Sequence, residues 1–520
     1  MSLGRTRTVA LTGIEARLVD VEAYLGSGVP AYHLVGLPDA SLNESRDRVR
    51  AAMLNSGQSW PSGKRVTVNM SPADLRKRGS SFDVAIAVAI LVAQEAVPST
   101  FFAGSVLIGE LALDGRLRPV RGVLPSVAAA VRSGVEKVVV PAGNAAEAGL
   151  VPGVQVTAVG SLAELVGIAR GEPLPPELCR PPDEPEPVAE EKVPTHAPDL
   201  ADVLGQSTAR YLLEVAAAGG HHLLMLGPPG AGKTMLAERL PGLLPRLDDQ
   251  AAMEVTTIHS VAGTLRSRSG SPPLLTRPPF QAPHHTASVP SVVGGGSSVV
   301  RPGAASLAHR GVLFMDEAPE FSSGVLDALR EPLESGEITV SRLAEQARFP
   351  ARFQLVLAAN PCPCGMALAR GAECSCTPLA RIRYLGRLSG PLLDRVDLRL
   401  EMQAATRATL SADISAAEGT AVVAERVAAA RERMAARLAG TPWTLNSDVP
   451  GSALRREWRL PWDVVAEAER MLDVGQLTAR GVDRVIRVAW TIADLAGRDR
   501  PDAGDVRIAL DCRGSVRRAA

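Results

Sequence analysis

The chain has 520 residues, which is enough for two to four domains. Hydrophobic residues make up 46% of it, which excludes a wholly disordered protein, and with only 3% aromatic residues the cores must be filled by aliphatic side chains. The 56 basic and 56 acidic residues cancel, so the overall charge argues neither for nor against a nucleic-acid partner.

The distribution of apolar residues and cysteines bears on the compartment. The longest apolar run, residues 84–93, is too short to span a bilayer, and the first residues lack the apolar core of a signal peptide. Four of the six cysteines are packed between positions 362 and 376, which does not make a disulfide framework. We therefore expect a cytoplasmic protein without membrane contact.

Residues 1–170 alternate strand-like and helical runs, which predicts an α/β domain. The runs 66–70 and 137–141 have the pattern of strands, and residues 83–93 that of a buried helix. The next segment, 171–198, contains nine prolines and seven acidic residues, so it cannot bury much surface. We expect it to be an extended linker and the clearest domain boundary.

A glycine-rich loop follows the apolar run 222–226 and precedes a predicted helix. It fits the pattern G-x-x-x-x-G-K-[ST] of phosphate-binding loops, in which backbone N–H groups and a helix N-terminus surround phosphate oxygens. Lys233 would reach the β- and γ-phosphates, and the Thr234 hydroxyl would bind Mg²⁺. The loop consists of Gly227, Pro228, Pro229, Gly230, Ala231, Gly232, Lys233 and Thr234.

Two later strand-like runs end in polar residues. Asp316 and Glu317 follow the first run, residues 311–315, at the end of a strand where ligands of open α/β sheets bind. Asp316 would hold Mg²⁺ through water, and Glu317 would orient the attacking water. Asn360 follows the second run, 354–359. Together with residues 202–206, this order resembles an AAA+ module, and the resemblance implies that Asn360 is the sensor of the γ-phosphate.

Two arginines complete the predicted site. Residues 392–398 resemble a motif of magnesium-chelatase motors and MCM helicases, which implies that Arg395 is a finger reaching the nucleotide of a neighbouring subunit; alternatively it is a surface arginine paired with Asp394 or Asp397. The helix predicted at 477–495 resembles the AAA+ lid helix, and Arg480 would contact the γ-phosphate from above. Arg484 and Arg487 on that helix are expected to be solvated or at a subunit boundary.

Two further groups suggest binding functions. Four cysteines within fifteen residues suit a tetrahedral Zn²⁺ site, although reduced structural or redox thiols are the alternative; they are Cys362, Cys364, Cys374 and Cys376. The runs 338–342 and 347–353 predict a β-hairpin. Related helicases insert such a hairpin into the ring pore, so Arg342 and Arg348 are candidates for contact with DNA; a structural hairpin with solvated arginines is the alternative.

The stretches 68–75 and 79–83 resemble the N-terminal domain of the ComM/YifB family, which is similar to the proteolytic domain of Lon. Ser81 falls near the position of the Lon nucleophile, but no lysine stands where the base is needed, and a serine without a base is a poor nucleophile. We therefore expect Ser81 to be a turn or helix-cap residue and the domain to be a binding or assembly module.

Residues 279–288 resemble the insert of magnesium-chelatase-like AAA+ proteins of the ComM/YifB type. The chain departs from that family at Gln281 and Ala304, where members usually carry Arg and Glu. His284 and His285 are adjacent in a loop, and adjacent residues rarely chelate one ion well, so we do not expect them to bind metal.

The resemblance covers nearly the whole chain and implies an α/β multidomain fold. Its parts would be a Lon-like α/β domain (1–170), an AAA+ αβα domain (199–402) and an all-α lid (403–520). It further implies a homo-oligomeric ring, expected to be a hexamer, that hydrolyses ATP with Mg²⁺ and translocates DNA, promoting branch migration in natural transformation and recombination. The alternatives are the motor subunit of a magnesium or cobalt chelatase, which usually lacks the N-terminal domain, and a protein remodeller or regulator.

Overall fold

The computed structural model describes residues 2–173, 198–265, 274–296, 300–342, 345–368, 373–413 and 417–513. Most of the predicted linker, residues 174–197, lies outside these ranges. The first range contains the strands β1 (Ser2–Thr12), β2 (Glu15–Gly26), β3 (Ala31–Val35), β4 (Arg65–Ser71), β5 (Ser105–Leu107), β6 (Glu110–Leu111), β7 (Leu117–Arg118), β8 (Lys137–Pro141) and β9 (Gln155–Val159). Its helices are α1 (Ala40–Asn43), α2 (Ser45–Asn55), α3 (Asp83–Ala93), α4 (Ser99–Phe102), α5 (Val123–Arg132), α6 (Ala145–Ala148) and α7 (Leu162–Arg170).

The predicted elements of this N-terminal part are confirmed, and α3 is its central helix. Every residue of α3 is buried, as the uninterrupted apolar run predicts. The helix packs against the sheet β1-β2-β4-β3, and it lies so close to β1 that a Cβ at Gly4 would overlap the Ala89 carbonyl. The Thr6 hydroxyl donates to Ala85 O at 2.9 Å, which fixes the helix along that strand.

The middle part contains the strands β10 (Leu223–Leu226), β11 (Phe280–Gln281), β12 (Val312–Met315), β13 (Glu337–Arg342), β14 (Glu345–Pro350), β15 (Gln354–Ala359) and β16 (Leu398–Glu401). Its helices are α8 (Ser207–Gly219), α9 (Lys233–Ala237), α10 (Leu240–Leu243), α11 (Asp249–Ala262), α12 (Val289–Val293), α13 (Ala304–Leu307), α14 (Ser323–Ala328), α15 (Arg330–Ser335), α16 (Pro378–Leu385) and α17 (Gly390–Leu393). Five of the strands form a parallel sheet in the order β11-β12-β15-β10-β16. The mixed α/β class with a parallel sheet is therefore confirmed.

The strand order determines where the site lies. β15 pairs with β12 on one side and with β10 on the other, in both cases in parallel. The carboxyl ends of three neighbouring strands therefore meet at one edge, where ligands of open α/β sheets bind. The phosphate loop, the Asp316–Glu317 pair and Asn360 all follow these strands.

The C-terminal part is helical, as predicted, with α18 (Arg407–Asp413), α19 (Thr420–Leu438), α20 (Gly451–Arg456), α21 (Trp462–Asp473), α22 (Ala479–Leu495) and α23 (Ala503–Asp511). These helices do not have a separate core. Residues of α19 and α22, including Trp490, share one hydrophobic cluster with Leu212 of α8 and Leu398 of β16. The last helices are thereby held against the parallel sheet.

A buried polar network joins α22 to the amino-terminal edge of that sheet. His221, just before β10, lies 3.3 Å from Asp397 and 2.8 Å from the Thr491 hydroxyl. Arg484 donates to Val396 O at 3.3 Å, with its guanidinium 3.8 Å from Asp397. Burial raises the pKa of Asp397, but the hydrogen bond from His221 and the charge of Arg484 outweigh it, so the pKa lies well below its usual range. Of the two predicted positions of Arg484, the solvated one is wrong, because its side chain is buried in this network, and a position at a subunit boundary stays a prediction.

The N-terminal part packs directly on the nucleotide-binding part. Leu11 and Ile14, at the tip of the β1–β2 hairpin, pack on a cluster that includes Ala347 and Phe349 of the β13–β14 hairpin. At a second contact, Gly122 N donates to Ser260 O of α11 at 3.1 Å. Among the described helices, none is long and apolar enough to cross a membrane.

Candidate nucleotide-binding site

The phosphate loop leaves β10 and leads directly into α9. Gly227 N donates to Ala359 O at 3.1 Å, which ties the start of the loop to the neighbouring strand β15. Gly230 and Gly232 have φ angles of 75° and 88°, in the left-handed region that favours glycine. The glycines of the motif are therefore required by the turn that brings the chain from the strand to the helix.

Lys233 is buried and held at the centre of the loop. Its ammonium donates to Gly227 O at 2.7 Å, to Pro228 O at 3.0 Å and to the side-chain oxygen of Asn360 at 3.1 Å. Burial lowers the pKa of Lys233, while the charges of Asp316 and Glu317 oppose that shift. The lysine and the predicted sensor are thus neighbours in the structure. The oxygens that now accept hydrogen bonds from the Lys233 ammonium could be replaced by phosphate oxygens.

Thr234 and Asp316 form the next pair. The Thr234 hydroxyl donates to one carboxylate oxygen of Asp316 at 2.7 Å, and the other oxygen accepts from Glu317 N at 2.8 Å. A hydroxyl and a carboxylate beside a phosphate-binding loop are oxygen ligands of the kind Mg²⁺ prefers. These two side chains therefore fit the predicted magnesium site.

Glu317 occupies a left-handed backbone conformation, with φ 51° and ψ 42°, which is uncommon for a residue other than glycine. Its carboxylate lies 3.0 Å from Nδ1 of His285. Both side chains are partly exposed at the carboxyl edge of the sheet. Glu317 is therefore held in a defined direction by its backbone and by a histidine.

His285 is the site residue that the sequence did not identify. In the sequence, the adjacent histidines suggest at most a metal site, whereas in the structure each ring has a different protein partner. His284 bonds within its own loop, from Nδ1 to the Thr286 hydroxyl at 2.8 Å, whereas His285 reaches Glu317. The sequence signal that could have identified His285 is the polar pair His284–His285 between prolines of the insert. Only the fold shows that this insert reaches the end of β12.

Replacing His285 with alanine is expected to lower kcat for ATP about 10- to 100-fold with little change in nucleotide affinity, because Glu317 loses the partner that directs it. Steady-state ATPase kinetics and equilibrium nucleotide binding would measure the two quantities. His285→Gln, which keeps a donor, should recover part of the rate. His284→Ala is the matched control, and an equal loss in that variant would contradict a positioning role for His285.

Arg395 and Arg480 lie together, at the other end of the sheet from the phosphate loop. Arg395 forms an ion pair with Glu334 and donates to Pro391 O at 2.6 Å. Burial lowers the pKa of Arg395, and the nearby charges of Arg330 and Arg480 lower it further. Arg480 precedes Arg484 by one helical turn, so the network at Asp397 places it at this amino-terminal edge.

In the structure, Arg395 does not pair with Asp394 or Asp397, which was the alternative prediction. Glu334 is its acidic partner, and Asp397 is occupied by His221 and Arg484. A cleft of about 820 Å³ opens beside it between the sheet and the C-terminal helices. Among the described residues, seven arginines line this cleft, namely Arg246, Arg310, Arg352, Arg395, Arg431, Arg484 and Arg487.

The four cysteines come together as the spacing predicts. Their sulfur atoms all lie within 4.8 Å of one another, with separations of 3.3 Å (Cys362–Cys364), 3.6 Å (Cys362–Cys374) and 3.5 Å (Cys364–Cys374). A tetrahedral Zn²⁺ with Zn–S distances of about 2.3 Å requires sulfur separations of about 3.8 Å. The cluster therefore fits a metal ion in size and donor chemistry.

The predicted hairpin is present as β13 and β14, which pair antiparallel with Thr339 opposite Arg348. Arg348 is exposed, while its neighbours Ala347 and Phe349 are buried against the N-terminal part. The side chain of Arg342 lies outside the described structure. One face of the hairpin is therefore structural, and the opposite face is open for a ligand.

The remaining sequence expectations concern Ser81 and the two family departures. Ser81 lies in the turn before α3, where its carbonyl accepts from Gly109 N at 3.0 Å, and Lys77, four positions earlier, is buried and donates to Pro72 O. Lys77 therefore does not serve as a base for Ser81. Gln281 lies in β11 opposite Leu313, and Ala304 is buried at the start of α13.

Three family models match the chain. Residues 199–410 match "Magnesium chelatase, subunit ChlI", residues 21–144 match "Subunit ChlI of Mg-chelatase", and residues 417–513 match "Magnesium chelatase, subunit ChlI C-terminal". Together they cover most of the described structure.

Several curated proteins are similar over nearly the full length. An uncharacterized protein of Mycobacterium tuberculosis is 52% identical over 514 residues, covering 99% of each chain. YifB of Escherichia coli is 42% identical over 499 residues, covering 96% of this chain and 94% of YifB. The competence protein ComM of Haemophilus influenzae is 40% identical over 524 residues, covering 99% and 98%. Similarity to Lon is partial, since a Lon protease of Brucella suis is 28% identical over 216 residues, or 40% of this chain and 26% of that protease.

Proposed function

Because the chain belongs to the magnesium-chelatase-like family that includes YifB and ComM, we propose that it is an ATP-hydrolysing ring motor that moves along DNA. The observation that supports the motor most directly is the division of the site. The phosphate loop, Asp316, Glu317 and Asn360 lie at one edge of the sheet, and Arg395 with Arg480 lies at the opposite edge. A complete site then requires two subunits.

The carboxyl edge of the sheet supplies the groups for hydrolysis. Lys233 exchanges its carbonyl partners for the β- and γ-phosphate oxygens of ATP, and Asn360 stays within reach of the same ammonium. Thr234 and Asp316 hold Mg²⁺, which neutralises charge on the phosphates when it is bound. Glu317, directed by His285, orients the attacking water and accepts its proton.

The amino-terminal edge supplies the neighbour's half of the site. Arg395 leaves Glu334 and reaches the γ-phosphate bound by the next subunit, and Arg480 acts from the same side rather than on its own nucleotide. Head-to-tail contacts of this kind close into a ring. We propose a hexamer, in which the arginine-lined cleft faces the neighbouring subunit.

DNA as the track is supported by two observations. The β13–β14 hairpin presents the exposed Arg348 on the face opposite its structural contact, and phosphate contacts are typically made by such side chains. A relative at 40% identity over almost the full length is a competence protein. We propose that the motor promotes branch migration during natural transformation and recombination.

The N-terminal part serves as a support in this proposal and not as a peptidase. Its β1–β2 tip lies against the base of the hairpin, so it can hold the hairpin in position while the sheet responds to ATP. Ser81 lacks a lysine partner in the described turn.

The cysteine cluster is proposed to hold a structural Zn²⁺. Four sulfur ligands at closed tetrahedral spacing leave no position for a substrate, which is the pattern of structural zinc sites.

The motor subunit of a magnesium or cobalt chelatase is the second candidate, and the family descriptions favour it. In that case, the motor would act on a separate catalytic subunit that inserts the metal, and not on DNA. Stimulation of the ATPase by DNA separates the two candidates.

Purified protein is expected to hydrolyse ATP faster in the presence of single-stranded or forked DNA than without DNA, and to displace a strand from the fork. ATPase turnover and strand displacement are measured with each DNA and with none. Arg348→Ala should reduce the stimulation and leave the basal rate nearly unchanged, because Arg348 lies on the β13–β14 hairpin and not on the phosphate loop or the strands that lead to Asp316 and Asn360. An ATPase that no DNA stimulates, together with no strand displacement, would contradict the DNA-motor proposal and leave the ATPase intact.

A further inference from the structure

The cysteine cluster lies directly beside the proposed nucleotide site. The cysteine loop starts where β15 ends, so that Cys362 follows the sensor Asn360 by two residues. Cys362 is completely buried, and Gly365 N donates to Cys362 O at 2.9 Å to close a turn. The first ligand pair is therefore continuous with the residue that contacts Lys233.

The turn at Gly365 packs closely against the phosphate loop. Gly365 has φ 79°, and a Cβ placed on it would lie 2.6 Å from Cδ and 2.8 Å from Cγ of Pro229. These distances are far inside the contact limit of carbon atoms, so only glycine fits against the proline. Pro229 is the third residue of the phosphate loop, and its ring has this turn as a neighbour.

The chain leaving the cluster reaches the third part of the site. After Cys376, helix α16 is capped by Thr377 and leads to Arg387, whose guanidinium donates to Pro319 O at 3.0 Å. Pro319 follows Glu317 by two residues. The cysteine loop thus follows the sensor strand and packs on the phosphate loop at Gly365, and helix α16 continues from it to Arg387, which contacts the Glu317 segment.

We propose that the metal held by Cys362, Cys364, Cys374 and Cys376 sets the position of the phosphate loop and thereby determines nucleotide affinity. The inference rests on the proposed ATP site and the proposed zinc site, and adds the coupling between them. Without the metal, the two cysteine pairs keep only the weak thiol contacts of Cys374 with Cys362 and Cys364, so the turn at Gly365 would be held less firmly behind Pro229. Zn²⁺ is the ion favoured by four sulfur donors in a tetrahedral arrangement.

Two variants separate metal binding from coupling. Cys374→Ser/Cys376→Ser removes two partly buried ligands and leaves the fully buried Cys362 in place. Gly365→Ala keeps all four ligands and forces a methyl group against Pro229. Gly475→Ala is the matched control, because Gly475 has a similar φ of 72° and open space around its Cβ position. Cys179→Ser controls for the loss of a thiol outside the cluster.

Zinc content is measured by elemental analysis of the full-length protein, and affinity by fluorescence titration with mant-ATP in the presence of Mg²⁺. We expect about one zinc per chain in the unmodified protein, in Gly365→Ala and in both controls, and nearly none in the double cysteine variant. Mant-ATP binding should weaken about tenfold in the double cysteine variant and about threefold or more in Gly365→Ala, with no change in Gly475→Ala.

The outcomes are distinguishable. Equal zinc content in the double cysteine variant and the unmodified protein would overturn the metal site. Loss of zinc with unchanged mant-ATP affinity, or unchanged affinity in Gly365→Ala, would overturn the coupling. If the double cysteine variant does not fold, as judged by thermal unfolding, Gly365→Ala still decides. Failure of the unmodified protein to bind mant-ATP would instead contradict the proposed nucleotide site.

Discussion

Replacing Glu317 with glutamine is expected to reduce ATP turnover by about 10²- to 10⁴-fold, the range typical of removing a group that accepts a proton in the transition state. The amide has nearly the same shape as the carboxylate but cannot take the proton of the attacking water. Lys233, Thr234 and Asp316 remain in place, so ATP affinity should change little. Steady-state ATPase assays and nucleotide-binding titrations of the same preparation would measure both quantities.

Glu320→Gln is the matched control for this variant. Glu320 lies three residues later on the same segment, is partly exposed, and pairs with Arg387 at the surface. A surface ion pair contributes little, so turnover should stay within about twofold of the unmodified protein. A Glu317→Gln protein with near-normal turnover would show that another group activates water, and the assignment of Glu317 would be wrong.

Replacing Arg395 with alanine is expected to lower turnover by about 10³- to 10⁵-fold, the effect of removing an arginine finger. The physical reason is that the charge developing on the γ-phosphate loses its partner from the neighbouring subunit. Nucleotide binding should persist, because the phosphate loop belongs to the other edge of the sheet. Arg7→Ala, which removes an exposed arginine paired with Asp20 in the N-terminal part, serves as the control.

A mixing experiment tests the division of the site between subunits. Lys233→Ala and Arg395→Ala proteins are each expected to be inactive alone, whereas rings assembled from an equal mixture should recover activity. A site is complete where an Arg395→Ala subunit binds ATP and a Lys233→Ala subunit supplies the arginine, which holds for about a quarter of random neighbours. No recovery in rings that demonstrably contain both variants would contradict action in trans.

The arrangement of the proposed nucleotide site could be predicted from the sequence because each of its parts follows a local pattern. A buried strand followed by glycines, a lysine and a helix is typical of phosphate binding. The structure places the Lys233 ammonium 3.1 Å from the side-chain oxygen of Asn360 and the Thr234 hydroxyl 2.7 Å from Asp316. The residues are distant in sequence, but all follow strands of one parallel sheet. Parallel strands align their carboxyl ends, so order along the chain was sufficient.

The roles of His285 and Glu334 could not be predicted in this way. The contact between His285 and Glu317 depends on how an insert folds back to the edge of β12, and the contact between Glu334 and Arg395 joins α15 to the loop after α17. Neither pair follows a regular spacing, and no helical or strand period relates them. Burial of Arg484 was mispredicted for the same reason, since its partner Asp397 lies on a different element.

The sequence by itself determined the parallel α/β class, the phosphate loop and its acidic and sensor partners, the cysteine cluster and the hairpin, because glycine φ preferences, apolar periodicity and ligand spacing act locally. The tertiary structure alone decided which edge of the sheet each group occupies. It placed Arg395 and Arg480 away from Lys233, packed the C-terminal helices into the same core as α8, and set Gly365 against Pro229. These relations arise from side-chain packing between elements far apart in the chain, which no local pattern records. The phosphate loop is therefore a feature of the sequence, whereas the separation of Lys233 from Arg395 and Arg480, on which the proposed two-sided site rests, is a feature of the fold.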